Sequence, residues 1–141
     1  MRIELEKVIP TDTQVLNLFE QLKRRVHSIS HENLPTYEEH KLFVTENPYR
    51  AWFIVKKGKE ILGNVYVQND NSVGLNNLDN VETAVIKEIL KVLRYKLEPL
   101  SPIPSVRYKD FHLNVSVSNV KLQNKLKKIG YKVSQISFIH E

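Results

Sequence analysis

The chain has 141 residues, which fits one domain, and its composition of 41% hydrophobic and 26% charged residues is ordinary for a globular protein. The absence of cysteine excludes disulfides, cysteine-ligated zinc and a cysteine nucleophile. The net charge of +5 is compatible with acidic ligands, such as nucleic acid or a phosphorylated cofactor, but on a small domain solubility is the simpler explanation. Because the lysines are scattered and not interleaved with aromatic residues, the pattern argues against a nucleic-acid partner.

The N-terminal residues and the hydropathy pattern give a prediction of the cellular location. The first ten residues carry charges where a signal peptide needs an apolar run. No apolar stretch approaches the length that spans a membrane. Together with the lack of cysteine, these features predict a cytoplasmic protein that does not interact with a membrane.

The spacing of apolar residues divides the chain into alternating strands and helices. Capping patterns mark the helix starts: Thr11 precedes the first helix, Thr36 with Glu39 the second, and Asp79 or Asn80 the third. Gln14 completes the same pattern for the first helix. The predicted elements are strand 3–8, helix 12–25, helix 37–44, strands 51–55, 61–67 and 72–76, helix 84–97, strand 111–117, helix 120–129 and strand 131–139. This order predicts an α/β fold in which a mixed sheet carries helices on its faces.

A motif in the C-terminal third supports a more specific interpretation. The predicted strand 111–117 leads to Asn119, a helix follows, and Gly130 and Tyr131 come eleven and twelve residues after the asparagine. This arrangement, with two helices, a three-strand meander and a helix before it, resembles the GNAT superfamily of acetyltransferases. The resemblance implies one GNAT-like domain over residues 1–141, with a twisted, mostly antiparallel central sheet, helices on both faces and two splayed central strands.

The resemblance also implies an activity. GNAT enzymes move an acetyl group from acetyl-CoA, their co-substrate, to a primary amine by direct attack in a ternary complex. The pantetheine arm of acetyl-CoA is expected between the splayed strands, and its pyrophosphate at the start of the following helix, where free N–H groups and the positive dipole end coincide. The residues expected to contact the co-substrate are Leu75, Asn76, Asn77, Glu82, Thr83, Ala84 and Asn119.

Some positions depart from the GNAT pattern. The phosphate-binding loop falls on residues 81–86, where Val81 lacks a polar side chain, Glu82 adds a negative charge and Ile86 is branched. Leu126 stands where many members have the tyrosine that protonates the leaving thiolate. An alternative hypothesis is therefore a non-catalytic GNAT-like module that has lost the acetyl-CoA site. Asn119 has a second interpretation as well, because asparagine is a common helix cap.

The acceptor side is less defined by the sequence. The segment from Thr36 to His40 looks most like the branch that modifies ribosomal proteins or nucleotide amino-sugars. Glu39 and His40 are the candidate bases for deprotonating the amine, although a solvated helix start is the simpler explanation for them. The acceptor itself, whether an amino-sugar nucleotide, a peptide N-terminus or a small amine, is left open.

Two further features bear on metals and partners. His27 and His31 are four residues apart, but they fall in a predicted loop without a third ligand, so no metal site is predicted. The terminal strand over residues 131–139 is expected at a sheet edge, where it can pair across a homodimer.

Overall fold

The computed structural model describes residues 2–25 and 33–140. Strands and helices follow one another along these segments largely in the order that the apolar spacing predicts. In chain order the elements are β1 (Ile3–Lys7), α1 (Asp12–Arg24), α2 (Tyr37–Glu46), β2 (Ala51–Lys57), β3 (Glu60–Val67), β4 (Ser72–Asn76), α3 (Thr83–Lys96), β5 (His112–Asn114) and α4 (Val120–Ile129).

The strands form one five-stranded sheet in sequence order, β1-β2-β3-β4-β5. The first three pairings are antiparallel and the last, between β4 and β5, is parallel. This confirms the predicted mixed, mostly antiparallel sheet. The β4–β5 pairing ends where Gly74 meets Asn114, whereas β4 continues to Asn76. The two strands therefore part at the C-terminal end of β4, as the splayed arrangement requires.

Helices cover both faces of the sheet. On one face α3 packs its apolar stripe over the strands, and Ile89 and Leu93 lie in a core with Val55 and Val65. On the other face α1 and α2 form a second core around Trp52. A third cluster joins α3 to α4. Because α3 follows β4 and α4 follows β5, and those strands are parallel, both helices begin at the edge of the sheet where the strands part.

The helix starts match the sequence prediction at α2 and only in part at α1 and α3. At α2, Thr36 and Glu39 form the complete capping box. At α1, Thr11 accepts a hydrogen bond from the Gln14 backbone, but the Gln14 side chain reaches past Thr11 to the backbone N–H of Ile9. The half of the box assigned to Gln14 is therefore wrong.

The predicted cap of α3 by Asp79 or Asn80 is also wrong. The N-cap is Glu82, and no side chain caps this helix. Asn80 is used elsewhere, because its Oδ1 accepts a hydrogen bond from Lys121 of α4. The chain instead turns after β4 at Asn77, which has a positive φ of 61°, and buries Leu78 completely before the helix begins.

The last two predicted strands are the largest departures. Strand 111–117 is reduced to the three residues of β5, because the side chain of Gln123 binds the carbonyl groups of Ser116 and Val117 and the chain turns there. Residues 131–139 form no strand within the described chain. Their alternating, β-branched sequence suits a strand, but a strand needs a neighbour for its backbone groups, and none pairs with them here.

Candidate active site

A pocket of about 350 Å³ opens on the α1/α2 face of the sheet, beside the part of β4 that has no β5 partner. Its walls come from both helices, and its floor comes from β2, β3 and the end of β4. The lining residues are Leu18, Gln21, Leu22, Arg25, Asn33, Pro35, Glu39, His40, Phe43, Tyr49, Trp52, Asn64, Asn76 and Asn77.

Buried amides hold the floor of this pocket in place. Asn64 accepts hydrogen bonds at Oδ1 from Trp52 Nε1 (3.0 Å) and from Asn76 Nδ2 (3.1 Å), and donates from Nδ2 to Gln21 Oε1 (2.8 Å). Asn77 is tied to the same helix, since its Nδ2 donates to the backbone carbonyl of Gln21 at 2.7 Å. A satisfied network of this kind fixes side-chain positions, because each broken bond would leave a buried polar group unpaired.

Asn64 and Gln21 were not identified from the sequence. A weak signal exists for each: Asn64 interrupts an otherwise apolar return strand, and Gln21 falls on the buried side of α1, one turn after Val15 and Leu18. Only the structure shows that these two amides meet each other and also hold Asn76.

An aromatic group borders the amide network. Tyr49 stacks on Tyr66 with ring centroids 4.3 Å apart, and Trp52 meets Tyr49 edge-on at 5.1 Å. A Cβ at position 74 would overlap the Tyr66 ring, so Gly74 is what allows this ring to lie across β4. Burial raises the pKa of Tyr49 to about 12 and also raises the pKa of Tyr66. Both phenols are therefore protonated near neutral pH.

His40 is the buried titratable group of the pocket. Only 5% of its surface is exposed, and its Nε2 has no hydrogen-bond partner. Its ring lies 5.4 Å from that of Phe19. Burial lowers the pKa of His40, and a hydrogen bond with the Val15 backbone opposes this only in part. The imidazole is therefore neutral near pH 7, the form in which it can accept a proton.

Glu39 lines the same pocket but is held differently. Its Oε1 accepts a hydrogen bond from the Thr36 backbone at 3.0 Å as part of the α2 capping box. Hydrogen bonds from the backbone and then the side chain of Thr36 lower the pKa of this exposed carboxyl. A lowered pKa makes Glu39 the weaker base of the two candidates.

The start of α3 offers backbone donors. The N–H groups of Val85 and Ile86 bind the carbonyl of Glu82, but those of Thr83 and Ala84 have no acceptor among the described residues. Free N–H groups in a first helical turn, together with the helix dipole, attract anions. The exposed carboxylate of Glu82 stands beside them and opposes this attraction.

Two lysines of α4 bind the loop that precedes α3. Lys121 Nζ donates to Asn80 Oδ1 at 2.9 Å, and Lys125 Nζ donates to the carbonyls of Asp79 (2.5 Å) and Val81 (2.6 Å). A lysine-rich helix face is usually exposed to solvent, so the sequence pattern does not single out these two lysines. Lys125 therefore lies against Val81, the residue before Glu82.

The remaining residues expected near the co-substrate have clear structural roles. Asn119 caps α4, because its Oδ1 accepts from the Leu122 backbone at 3.2 Å. Ile86 and Leu126 are buried together in the α3–α4 core. The Ile86 side chain therefore packs inside that core and does not crowd the first turn of α3. Leu75 lies half-buried on the parted section of β4.

Solved structures share this architecture. A spermidine N-acetyltransferase from Vibrio cholerae, described as dodecameric, superposes with a TM-score of 0.57 at 14% identity over 94% of this chain and 81% of that one. An aminoglycoside acetyltransferase from an uncultured soil metagenomic sample gives 0.54 at 12% identity over 100% and 99%. A possible acetyltransferase from Clostridium difficile 630 gives 0.52 at 7% identity over 99% and 100%. The chain has the GNAT fold.

Sequence comparison adds nothing to this fold likeness. No protein-family model matches the chain, and no curated protein sequence does so either. At identities of 7–14%, the shared GNAT fold is a statement about architecture, and the chemistry has to be argued from the site itself.

Within the GNAT fold, the structure brings Glu39, His40, Asn76 and Asn77 together around one pocket. Glu82, Thr83 and Ala84 lie at the start of α3, on the edge where β4 and β5 part. The histidine pair at positions 27 and 31 lies outside the described residues. No helix in the described segments is both long enough and apolar enough to cross a membrane.

Proposed function

We propose that the protein is an N-acetyltransferase that transfers the acetyl group of acetyl-CoA to a primary amine by direct attack in a ternary complex. The observation that carries this proposal is the parting of β4 from β5 beside a pocket that contains a buried histidine, His40, whose Nε2 has no hydrogen-bond partner. The three structures with the same fold are all named as acetyltransferases, which agrees with the proposal.

The residues at the parted edge suit acetyl-CoA as co-substrate. The backbone of Leu75, Asn76 and Asn77 has no β5 partner and is able to pair with the amide groups of a pantetheine arm. The unpaired N–H groups of Thr83 and Ala84 are suited to a pyrophosphate. Asn119, at the start of α4, borders the same edge, where we assign it a contact with the pantetheine in addition to its capping role.

His40 and Glu39 have different roles in binding and deprotonating the acceptor amine. Amines are mostly protonated near neutral pH and must lose a proton before they can attack. A neutral His40 with a free Nε2 is suited to take that proton, directly or through a water molecule. Glu39, whose carboxylate is already bound by Thr36, acts mainly through its negative charge at the pocket mouth.

One observation favours the alternative of a non-catalytic GNAT-like module. Glu82 places a carboxylate at the N-terminus of α3, where a pyrophosphate would have to lie. If this charge outweighs the N–H groups and the two nearby lysines, acetyl-CoA does not bind and the pocket serves binding only. The two hypotheses differ in whether acetyl-CoA is consumed.

The decisive experiment measures free CoA thiol with a thiol-reactive dye. The chain contains no cysteine, so the dye reports on CoA alone. A panel of nucleotide amino-sugars, peptides with free N-termini and small amines is tested with acetyl-CoA. We expect amine-dependent thiol release for at least one class, and its loss in His40→Gln. Binding of an amine without any thiol release would instead support the non-catalytic module.

A further inference from the structure

A groove between α3 and α4 lies apart from the candidate active site. Its volume is about 420 Å³, against about 350 Å³ for the active-site pocket, and it is open to solvent. The groove follows α3 from Lys87 to Tyr95. At 1.5 Å per residue, these two positions are roughly 6 Å and roughly 18 Å along the helix from Thr83. The groove is therefore distinct from the first turn of α3, to which we assign the pyrophosphate of acetyl-CoA.

Apolar side chains form the floor of the groove. Leu90 of α3 is 7% exposed and belongs to the α3–α4 core, against which Ile129 of α4 packs. Tyr131 packs against the same core, and its phenol is hydrogen-bonded with Arg94. The backbone N–H of Tyr131 also donates to the Leu126 carbonyl at 3.0 Å. These contacts join the two helices at the groove, so its shape is already formed in the folded chain.

Tyr95 adds aromatic surface beside this floor. Its side chain is 85% exposed, and its ring contacts no other ring and no cation among the described residues. A single exposed ring is ordinary by itself. Next to an apolar floor, however, it extends the surface on which an apolar ligand can be buried.

Three basic side chains of α3 border the groove: Lys87, Lys91 and Arg94. Their spacing of four and three residues places them on one face of the helix. Arg94 is partly neutralised, since its Nη1 donates to Asp110 Oδ1 at 2.9 Å. Lys87 and Lys91 form no ion pair or hydrogen bond with any described residue. No described residue that lines the groove is acidic, because Glu88 of the same helix is not part of its lining.

The charge of the whole chain is concentrated on these two helices. α3 contains four basic residues and one acidic residue, and α4 contains four basic residues and no acidic one. Their net charge is therefore +7, whereas the full chain carries +5. The lysines are scattered in the sequence, but the fold packs the two helices that carry them against each other. The resulting field attracts anions to the groove.

We propose that the α3–α4 groove binds a small amphiphilic anion, a molecule with an apolar body and one carboxylate or phosphate group. The apolar body lies on Leu90, Ile129 and the Tyr95 ring, and the anionic group accepts hydrogen bonds from Lys87 and Lys91. A concave site with a mostly apolar lining and a few polar groups is typical of small-molecule binding. The short groove and its aliphatic floor favour such a ligand over a polynucleotide, which requires a longer basic groove with stacking platforms.

Titration calorimetry with the full chain tests the class of ligand. Octanoate has both an apolar body and a carboxylate, whereas 1-octanol lacks the charge and acetate lacks the body. We expect octanoate to bind with a Kd below about 1 mM, and the other two to bind at least about tenfold more weakly, because each loses one of the two kinds of contact. 2-Naphthoate is titrated in parallel, and the tighter of the two anions shows whether the body is aliphatic or aromatic.

Two pairs of variants test the location. Lys91→Glu should weaken binding of the tighter anion by about tenfold or more, because it replaces a hydrogen-bond donor to the anion by a like charge. Its control is Lys59→Glu in the β2–β3 turn, which changes the net charge equally and should leave the Kd unchanged. Tyr95→Ser should weaken binding a few-fold by removing apolar surface. Its control is Tyr108→Ser, which is also exposed but lies outside the groove. Circular dichroism checks that all four variants are folded.

Three results overturn the proposal. The first is the absence of binding heat for both octanoate and 2-naphthoate at about 5 mM, well above the expected Kd. The second is equal weakening by Lys91→Glu and Lys59→Glu, which would show a general effect of net charge. The third is strict competition between the anion and acetyl-CoA, which would place both in one site. The titrations do not require acetyl transfer, so an inactive protein that binds the anion contradicts only the proposed function, and an active one that does not bind it contradicts only this proposal.

Discussion

The first turns of α2 and α3 have similar backbone angles at the N-cap but expose different groups. Each follows an extended residue, Thr36 with φ −67° and ψ 161°, and Glu82 with φ −64° and ψ 151°. At α2 the capping box satisfies the backbone, and the turn presents side chains to the pocket. At α3 no side chain caps the helix, and the turn presents backbone N–H groups. We infer that the acceptor side works through titratable side chains and the co-substrate side through backbone donors.

Replacing His40 with glutamine tests the α2 half of this comparison and should have the largest effect. Glutamine is similar in size and cannot act as a base at neutral pH, so kcat should fall by about 100-fold or more. Glu39→Gln is the matched variant, because glutamine still completes a capping box. It should change kcat by much less. The thiol-release assay compares the two, and a larger loss in Glu39→Gln would make Glu39 the base.

Thr83→Pro tests whether the backbone N–H groups at the start of α3 bind the co-substrate. Proline fits the first position of a helix, and the conformation of Glu82 is compatible with a following proline, so the fold should be kept. The substitution deletes one of the free N–H groups. Acetyl-CoA affinity should fall by about tenfold or more, the loss expected for one hydrogen bond to a charged group.

The control for Thr83→Pro is Asp12→Pro, at the equivalent position of α1, where Thr11 has the same extended conformation. This variant should leave the affinity unchanged. Titration calorimetry measures both. Equal affinity of Thr83→Pro and wild type would show that the pyrophosphate does not lie at α3.

The burial of His40 predicts a pH dependence of stability. Its pKa lies below the ordinary 6.5 in the folded state, so the unfolded chain binds the proton more readily. The contribution of neutral His40 to stability is present above pH 6.5 and is lost as the pH falls below it, by up to about 1.4 kcal/mol per pH unit. Urea denaturation between pH 5 and 8 should show a shallower slope for His40→Gln than for wild type.

Glu82→Gln should have the smallest effect of these variants, and it tests further whether the start of α3 binds the pyrophosphate. Removing an exposed carboxylate beside the pyrophosphate site should tighten acetyl-CoA binding a few-fold, since an exposed charge interaction is worth about 1 kcal/mol or less. The gain should shrink as salt is raised, because the effect is Coulombic. Affinity that is unchanged at both low and high salt would place the anion elsewhere.

Local signals in the sequence were sufficient for much of the fold and for part of the site. The Thr36–Glu39 box and the β2–β3 hairpin depend on neighbours in the chain, and both are predicted by the sequence. Long-range contacts were not. Lys125 binds a loop more than forty residues away, and Asn64 meets Gln21 across a similar separation. Such pairs leave no periodic pattern to read.

The C-terminal strand failed for a different reason. The prediction rested on β-branched residues in alternation, but a strand exists only where another strand pairs with it, and residues 131–139 have no such neighbour among the described residues. The α3 cap failed because Asn80 has a partner in α4 that propensity does not reveal.

The binding of acetyl-CoA tests the central claim most directly, because both helix starts have been assigned roles around it. Calorimetry and thermal unfolding are carried out with the full chain and acetyl-CoA. We predict measurable heat and a raised melting temperature, corresponding to about 2.7 kcal/mol of stabilisation when the ligand is at ~100 times its dissociation constant. The absence of both heat and shift at millimolar acetyl-CoA would contradict the acetyltransferase account and favour the non-catalytic module.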